Sequence, residues 1–156
     1  MQETVKAYVA GFLDGDGSIM LQIKPREDCR YGFRLYSTVC LYQDSSQQLE
    51  LQWIADQLQV GYLSKRNDGM LEYRIDGHER VENFLDAIKQ HVRFKKRQVE
   101  FMLAALQELK QEQTPERFLR ICQLADKISE ANYRSNRKYS AEFVEAEFKA
   151  CGILPP

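Results

Sequence analysis

Residues 5–17 restrict the fold more than any other part of the chain, because they lay two different stripes on one helix. Val5, Tyr8, Val9, Phe12 and Leu13 recur at helical spacing and give an apolar stripe. Ala7, Gly11 and Gly15 recur every four residues and give a second stripe almost without side chains. Small residues at this spacing let two helix backbones approach closely, by analogy with helix pairs in membranes. The run closes in Asp14-Gly15-Asp16-Gly17, a string expected to stop the helix at a glycine and leave a carboxylate at its tip. Such a helix can pair with a copy of itself through Ala7, Tyr8, Gly11, Phe12 and Gly15. Two Asp16 carboxylates then lie side by side, a cradle for a divalent cation. An ordinary N-terminal helix ending in an Asp/Gly turn accounts for the same residues, so the rest of the chain has to decide. A calcium loop does not fit: counted from Asp14, position twelve is Pro25, and counted from Asp16, positions three and five are Ser18 and Met20.

With 156 residues, 44% of them apolar and 29% charged, the chain reads as one soluble globular domain over 1–156. No stretch is apolar enough to span a membrane. The helical pattern starts by about residue 3, which leaves no room for a signal or transit peptide. The expected compartment is therefore the one where the protein is made: a prokaryotic cytoplasm, or an organelle that encodes it. Cys29, Cys40, Cys122 and Cys151 are far apart and form no Cys-x-x-Cys pair, so reduced thiols are expected. His78 and His91 have no ligand pattern around them and read as ordinary structural residues.

A net charge of −1 argues at first against a nucleic-acid partner. The distribution of charge argues for one. Basic residues cluster at Lys24, Arg26, Arg30 and Arg34, at Lys65, Arg66 and Arg74, at Arg93, Lys95, Lys96 and Arg97, and at Arg134, Arg137 and Lys138. The acids concentrate elsewhere, around Glu79–Asp86, Glu108–Glu116 and Glu142–Glu147. A molecule polarised in this way can bind phosphates with one face.

After the first helix, residues 18–28 alternate, with Ile19, Leu21, Ile23 and Pro25 apolar and Gln22, Lys24, Arg26 and Asp28 polar, as a half-buried strand does. Residues 33–43 repeat the pattern: Phe33, Leu35, Val39 and Leu41 face one way, and Arg34, Tyr36, Thr38, Cys40 and Tyr42 the other. The short link makes the pair a hairpin. A helix is expected from Ser45 to Leu58, with a capping box at Ser45 and Gln48 and a stripe of Leu49, Trp53, Ile54 and Leu58. Residues 60–66 and 70–76 form a second hairpin through Asn67-Asp68-Gly69, with Tyr62, Ser64, Arg66, Glu72 and Arg74 outward and Leu63, Leu71, Tyr73 and Ile75 inward. Helices follow at about 78–90, 95–111, 115–131 and 140–150, with Thr114 and Ser140 as N-caps and Pro115 in a first turn. The fold class is α+β, in the order α-β-β-α-β-β-α with extra C-terminal helices. Two hairpins side by side give a four-stranded antiparallel sheet with helices on one face. Its other face is expected to be exposed, rich in planar donors and poor in acid. Antiparallel ribbons can lie in a major groove, where Arg or Lys pairs with guanine and Gln with adenine. Every open antiparallel sheet also has a solvated face, which is the plainer account of this one.

The motif Ala10-Gly11-Phe12-Leu13-Asp14-Gly15-Asp16-Gly17-Ser18-Ile19, together with Gln22-Ile23-Lys24-Pro25 and Phe94-Lys95-Lys96-Arg97-Gln98, resembles the single-motif LAGLIDADG homing endonucleases, especially the algal chloroplast intron enzymes. The resemblance covers nearly the whole chain. It implies a homodimer whose motif helices form the interface and which makes double-strand breaks in long, near-palindromic duplex DNA. It also implies magnesium as the cofactor, with manganese able to replace it and calcium able to bind without supporting cleavage. Carried over residue by residue, Asp16 matches the metal-binding carboxylate and the carbonyl of Gly15 the backbone ligand beside it. Gln43 matches a residue that organises catalytic water, and Lys95 the basic residue that stabilises the cleaved phosphate. DNA contacts are expected from the sheet residues Gln22, Lys24, Arg26, Asp28, Arg34, Tyr36, Thr38, Cys40, Ser64, Arg66, Glu72 and Arg74. Arg30, Lys96, Arg134, Arg137 and Lys138 are expected to join them. Asp14 is read as structural, capping backbone at the motif turn. One position departs from the family, which commonly carries Arg or Lys where this chain has Gln47. That departure keeps a second reading open: a weak or inactive DNA- or RNA-binding protein of the same fold, such as an intron maturase or a regulator.

Overall fold

The computed structural model describes residues 1–132 and 137–156. The apolar stripe at the N-terminus becomes helix α1, Glu3–Asp16, with Val5, Val9, Ala10 and Leu13 buried. The Asp-Gly-Asp string does not break the helix, and all three residues belong to its last turn. The stop at Gly17 is not a left-handed cap either, since its backbone is extended at φ −119°. Glycine is needed there for space: a Cβ would lie 2.6 Å from Leu13 Cδ1 and 2.8 Å from the Leu13 carbonyl oxygen. The chain can therefore pass from the helix straight into strand β1, Gly17–Pro25.

Strand β2 is Phe33–Asp44, β3 is Tyr62–Lys65 and β4 is Met70–Asp76. All pairings are antiparallel, and the sheet order is β1-β2-β4-β3. The first strand is shorter than the alternation suggested. The Arg26–Gly32 segment closes a turn through Arg26 N to Gly32 O at 2.7 Å, so Arg26 and Asp28 lie in a connection and Pro25 is exposed. Ile19, Leu21 and Ile23, with Leu35, Val39 and Leu41 and with Leu71, Tyr73 and Ile75, form the apolar face of the sheet.

A 3₁₀ turn at Ser45–Gln47 precedes helix α2, Gln48–Leu58. The expected capping box at Ser45 and Gln48 is absent; Asp44 caps instead, accepting from Ser46 N at 2.9 Å. The phase of α2 also differs from the expected stripe. Leu51 and Ile54 are buried, whereas Leu49 is 81% exposed and Trp53 45% exposed. Helices α3, His78–Ile88, α4, Lys96–Leu109, α5, Pro115–Ala131, and α6, Ala141–Ala150, complete the layer over the apolar face. Thr114 and Ser140 cap α5 and α6 as expected, accepting from Arg117 N at 3.1 Å and Phe143 N at 3.2 Å. Met102, Leu106, Ile121, Ile128, Val144 and Phe148 supply the helical side of the core. Among the described residues, no helix is long and apolar enough to cross a membrane.

Candidate nucleic-acid interface and metal centre

Asp16 and Gly15 are both exposed at the end of α1. The preceding acid is tied down: Asp14 accepts from Arg93 N at 2.7 Å and from Lys95 N at 2.9 Å. Lys95 Nζ in turn donates to the Asp14 carbonyl oxygen at 2.7 Å. Asp14 is structural, as the sequence suggested, but it caps the segment leading into α4 rather than its own turn. The result is that Lys95, distant in sequence, is held at the tip of α1. Burial pulls the Lys95 ammonium below its ordinary pKa, opposed by the negative charges of Asp14 and Asp16. Asp16 and Lys95 are therefore electrostatic neighbours. The pairing of Gly17 with Leu41 places Gln43 two residues further along β2, at the end of the sheet beside this tip. Its Oε1 accepts from Asp44 N at 3.1 Å. Gln47, the last residue of the 3₁₀ turn, is exposed. Among the described residues, one chain gathers no group of three His, Cys, Asp or Glu side chains able to hold a metal. His78 and His91 have ordinary partners, Ser37 Oγ at 2.9 Å and Glu3 Oε1 at 2.7 Å.

The outer face of the sheet carries cross-strand rows fixed by the register: Lys24 with Arg34, Gln22 with Tyr36, Met20 with Thr38 and Asp76, Ser18 with Cys40, Arg74 and Tyr62. Lys24 and Arg34 both stack on Tyr36, at 5.0 Å and 5.4 Å from the ring centre, and Arg66 lies 5.7 Å from that of Tyr42. Arg30 is exposed in the turn after β1 and packs over Tyr31 at 5.3 Å. Two expected contacts do not hold: Thr38 and Cys40 are buried, because short side chains in mid-sheet are roofed by longer neighbours. Burial also pushes the Cys40 thiol up to about 11. Glu72 is nearly buried as well, paired with Arg74 Nη1 at 3.1 Å, while Ser64 is half-buried. The expectation of little acid on this face is wrong too. Arg74 pairs with both Glu72 and Asp76 on the sheet, and in the turns at its edge Arg26 pairs with Asp28 and Arg66 with Asp68. Asp68 and Asp76 were not singled out in the sequence, although acids two residues from an arginine along one chain segment were a visible signal.

A groove of about 1500 Å³ joins these parts. Its lining includes Gly15 and Lys95, Gln22 and Lys24 of β1, and the cations Arg66 and Lys138. Arg137 also lines it but is held by Asp126 at 3.1 Å and Glu130 at 3.5 Å. Lys96 is exposed at the start of α4. Arg134 lies outside the described residues.

The small-residue stripe of α1 faces outward. Ala7, Gly11 and Gly15 are exposed, Phe12 is half-buried, and Tyr8 is 53% exposed. A Cβ added at Gly11 or Gly15 would meet nothing within 4 Å. Tyr8 lies edge-on to Trp53, with ring centres 5.6 Å apart. Tyr8, Trp53 and Leu49 thus add exposed apolar surface next to a smooth helix face, the composition of an association surface. Helical spacing puts Trp53 and Leu49 in one stripe with Ile54 and Leu58, but they belong to this exposed surface.

A family model described as LAGLIDADG endonuclease matches residues 9–106. The chain is 31% identical over 140 residues to the DNA endonuclease I-CreI of Chlamydomonas reinhardtii, covering 89% of this chain and 85% of that one. It is 29% identical over 146 residues to the DNA endonuclease I-CvuI of Chlorella vulgaris, covering 94% and 91%. In three dimensions it matches the crystal structure of the homing endonuclease I-CvuI in complex with the I-CreI target in the presence of magnesium, DNA not cleaved. That match has a TM-score of 0.90 at 29% identity and covers 96% of each chain. The archaeal intron-encoded homing endonuclease I-Vdi141I complexed with DNA shares the fold, with a TM-score of 0.83 at 21% identity over 99% of this chain and 100% of that one.

Proposed function

This chain belongs to the LAGLIDADG endonuclease family, and we propose on that premise that residues 1–156 act as one site-specific DNA endonuclease domain of the homing type. The observation that carries the reading is the exposed Asp16 carboxylate at the tip of α1, close to Lys95 and set between Gly15 and Gly17, which line a groove with sheet and C-terminal cations. A pure binding protein would need the groove but has no use for this pair.

Cutting both strands calls for two such tips, and each chain has one. The outward stripe of Ala7, Tyr8, Gly11, Phe12 and Gly15 supports a homodimer through α1, which sets two copies of Asp16 together. The relative I-CvuI has been crystallised on DNA with magnesium and with calcium. The donor set here fits a hard cation: an exposed carboxylate and a backbone carbonyl, with no thiolate or imidazole beside them. Asp16 and the Gly15 carbonyl would hold magnesium, with manganese as a substitute and calcium as a non-productive occupant. Such an ion supplies a water of lowered pKa and stabilises charge developing on the phosphate. The chain's own residues do the rest. Lys95, fixed through Asp14, offsets charge on the scissile phosphate. Gln43 orients the attacking water, and Gln47 lies where a cation commonly stands in the family. Gln22, Lys24, Arg26, Arg30, Arg34, Tyr36, Arg66 and Arg74 contact the duplex, joined by Lys96, Lys138 and the C-terminal segment. The relatives come from Chlamydomonas and Chlorella. The inferred compartment is an organelle that encodes the protein, or a prokaryotic cytoplasm.

Incubating the protein with a randomised duplex library in magnesium, and separately in calcium, tests the assignment. A recurrent cut site in magnesium, with the same duplexes retained uncut in calcium, is expected. Retention without cutting in magnesium and manganese alike would instead establish a binding protein.

A further inference from the structure

The middle of the outer sheet face carries a polar network built around one carboxylate. Asp76, the last residue of β4, accepts from Thr38 Oγ1 at 2.6 Å and from Tyr62 Oη at 2.8 Å. Arg74 approaches it with Nε at 3.5 Å and Nη2 at 3.4 Å. Glu72 accepts Nη1 of the same guanidinium at 3.1 Å. Strand alternation puts Glu72, Arg74 and Asp76 on one face, and the register sets Tyr62 and the buried Cys40 on either side of Arg74. Burial works against the charge on Arg74, but its hydrogen bonds to Asp76 and Glu72 outweigh that and hold its pKa above the ordinary value.

A guanidinium has five N–H donors. Asp76 and Glu72 engage Nε–H and one N–H on each terminal nitrogen. Among the described residues, Asp76 and Glu72 are the acceptors with hydrogen-bond geometry to this guanidinium, the Tyr62 hydroxyl lying close beside it, and one N–H on each of Nη1 and Nη2 remains for a further acceptor. Two terminal N–H groups in one plane suit O6 and N7 of guanine at the major-groove edge. The Arg74 side chain is 30% exposed, so this edge can be reached.

We propose that Asp76 is a positioning residue for sequence readout: anchored by Thr38 and Tyr62, it holds Arg74 so that the guanidinium presents two N–H donors to one guanine in each half-site. The inference rests on the endonuclease reading above and adds which side chains set one base preference. Fixing the fork before binding removes rotamer entropy that a free arginine would lose on the DNA.

The cut site recovered from the library is remade with every base at every position, and relative cleavage is measured for the wild type and for Arg74→Ala, Asp76→Asn, Tyr62→Phe and the Arg74→Ala/Asp76→Asn pair. Arg74→Ala is expected to lose a guanine preference of roughly 5- to 150-fold at one position per half-site. Asp76→Asn should lose most of that same preference and Tyr62→Phe part of it. Asp76→Asn should change nothing further at that position once Arg74 is alanine. Thermal unfolding of each variant runs alongside, because a merely structural Asp76 would lower the melting temperature and leave the base profile intact. Should Asp76→Asn fail to fold, Tyr62→Phe and Thr38→Val carry the same comparison. Full guanine preference in these variants, a loss spread evenly over all positions, additivity in the double variant, or no position responding to Arg74→Ala would each overturn the proposal. Absence of any cut duplex with the wild-type protein would overturn the endonuclease reading, and this inference with it.

Discussion

Replacing Asp16 with Asn removes the proposed hard-cation ligand and leaves the proposed DNA groove untouched. Asp16→Asn is therefore expected to stop cleavage while retaining duplexes in a gel-shift assay; nicking in magnesium at a rate near that of the wild type would refute its assignment. Gln47 is exposed in a short turn, so a longer cationic side chain has room there. Gln47→Arg or Gln47→Lys is expected to raise single-turnover cleavage at saturating enzyme about tenfold, equivalent to about 1.4 kcal/mol of barrier. An unchanged rate for both would show that Lys95 already meets the need. The cysteines divide by burial. Cys40 is pushed up to about 11 and Cys122 to about 12, both chiefly by burial, so each stays a protonated thiol near neutral pH. Cys151 is exposed and Cys29 partly so. Ellman's reagent is expected to titrate Cys151 and Cys29 in the native protein and all four thiols after unfolding; rapid native reaction at four would contradict the buried sites.

At the level of elements, the junction between α1 and β1 matters most, because it sets where the Asp16 carboxylate points relative to the sheet. The junction depends on a glycine without side-chain volume. A methyl group at residue 17 would press on Leu13 Cδ1 at 2.6 Å and on backbone atoms at 2.8 Å and 2.9 Å, and backbone cannot swing away. Gly17→Ala is expected to cost about 1–3 kcal/mol, as overpacking does, and to lower cleavage by displacing Asp16. Urea unfolding measures the first effect; a midpoint equal to that of the wild type would show that the junction relaxes freely. Asp14 supplies the other constraint. Its bonds to Arg93 N and Lys95 N join the helix tip to the start of α4, so two segments distant in sequence are tied together.

Taken as a whole, the molecule is nearly neutral at −1, and Arg26, Arg66 and Arg74 are each matched by a carboxylate. In the proposed function, attraction to DNA is local rather than global and rests on the groove and on cations such as Lys24, Lys95 and Lys138 that line it. Association of two chains would add a second groove across the joined α1 helices. Gly11→Leu inserts a branched side chain where two backbones must approach. It is expected to leave a folded monomer that cannot make double-strand breaks, as judged by sedimentation and cleavage. A variant that stays dimeric and active would show that α1 is not the interface.

Short-range patterns were legible in the chain. Alternation over residues 19–23 and 33–41, helical spacing over 5–13, and caps at Thr114 and Ser140 report local backbone preference, and each lies where it was expected. The motif ending at Asp16 carried the family resemblance, because its glycines and acids stand at fixed spacing along one helix. What stayed hidden depends on neighbours distant in sequence. Period two says that Thr38 and Cys40 point outward, but not that Met20, Asp76 and Arg74 stand beside them and cover them. Helical spacing says that Trp53 and Leu49 share a face of α2, but not that this face looks toward Tyr8 and away from the sheet. The two partners of Asp14 lie 79 and 81 residues away, and Asp76 meets Thr38 across 38 residues. Periodicity fixes which way a side chain leaves its own backbone; strand register and helix packing fix what it meets, and that decided the partners of Asp14, the burial of Thr38 and Cys40 and the exposure of Trp53.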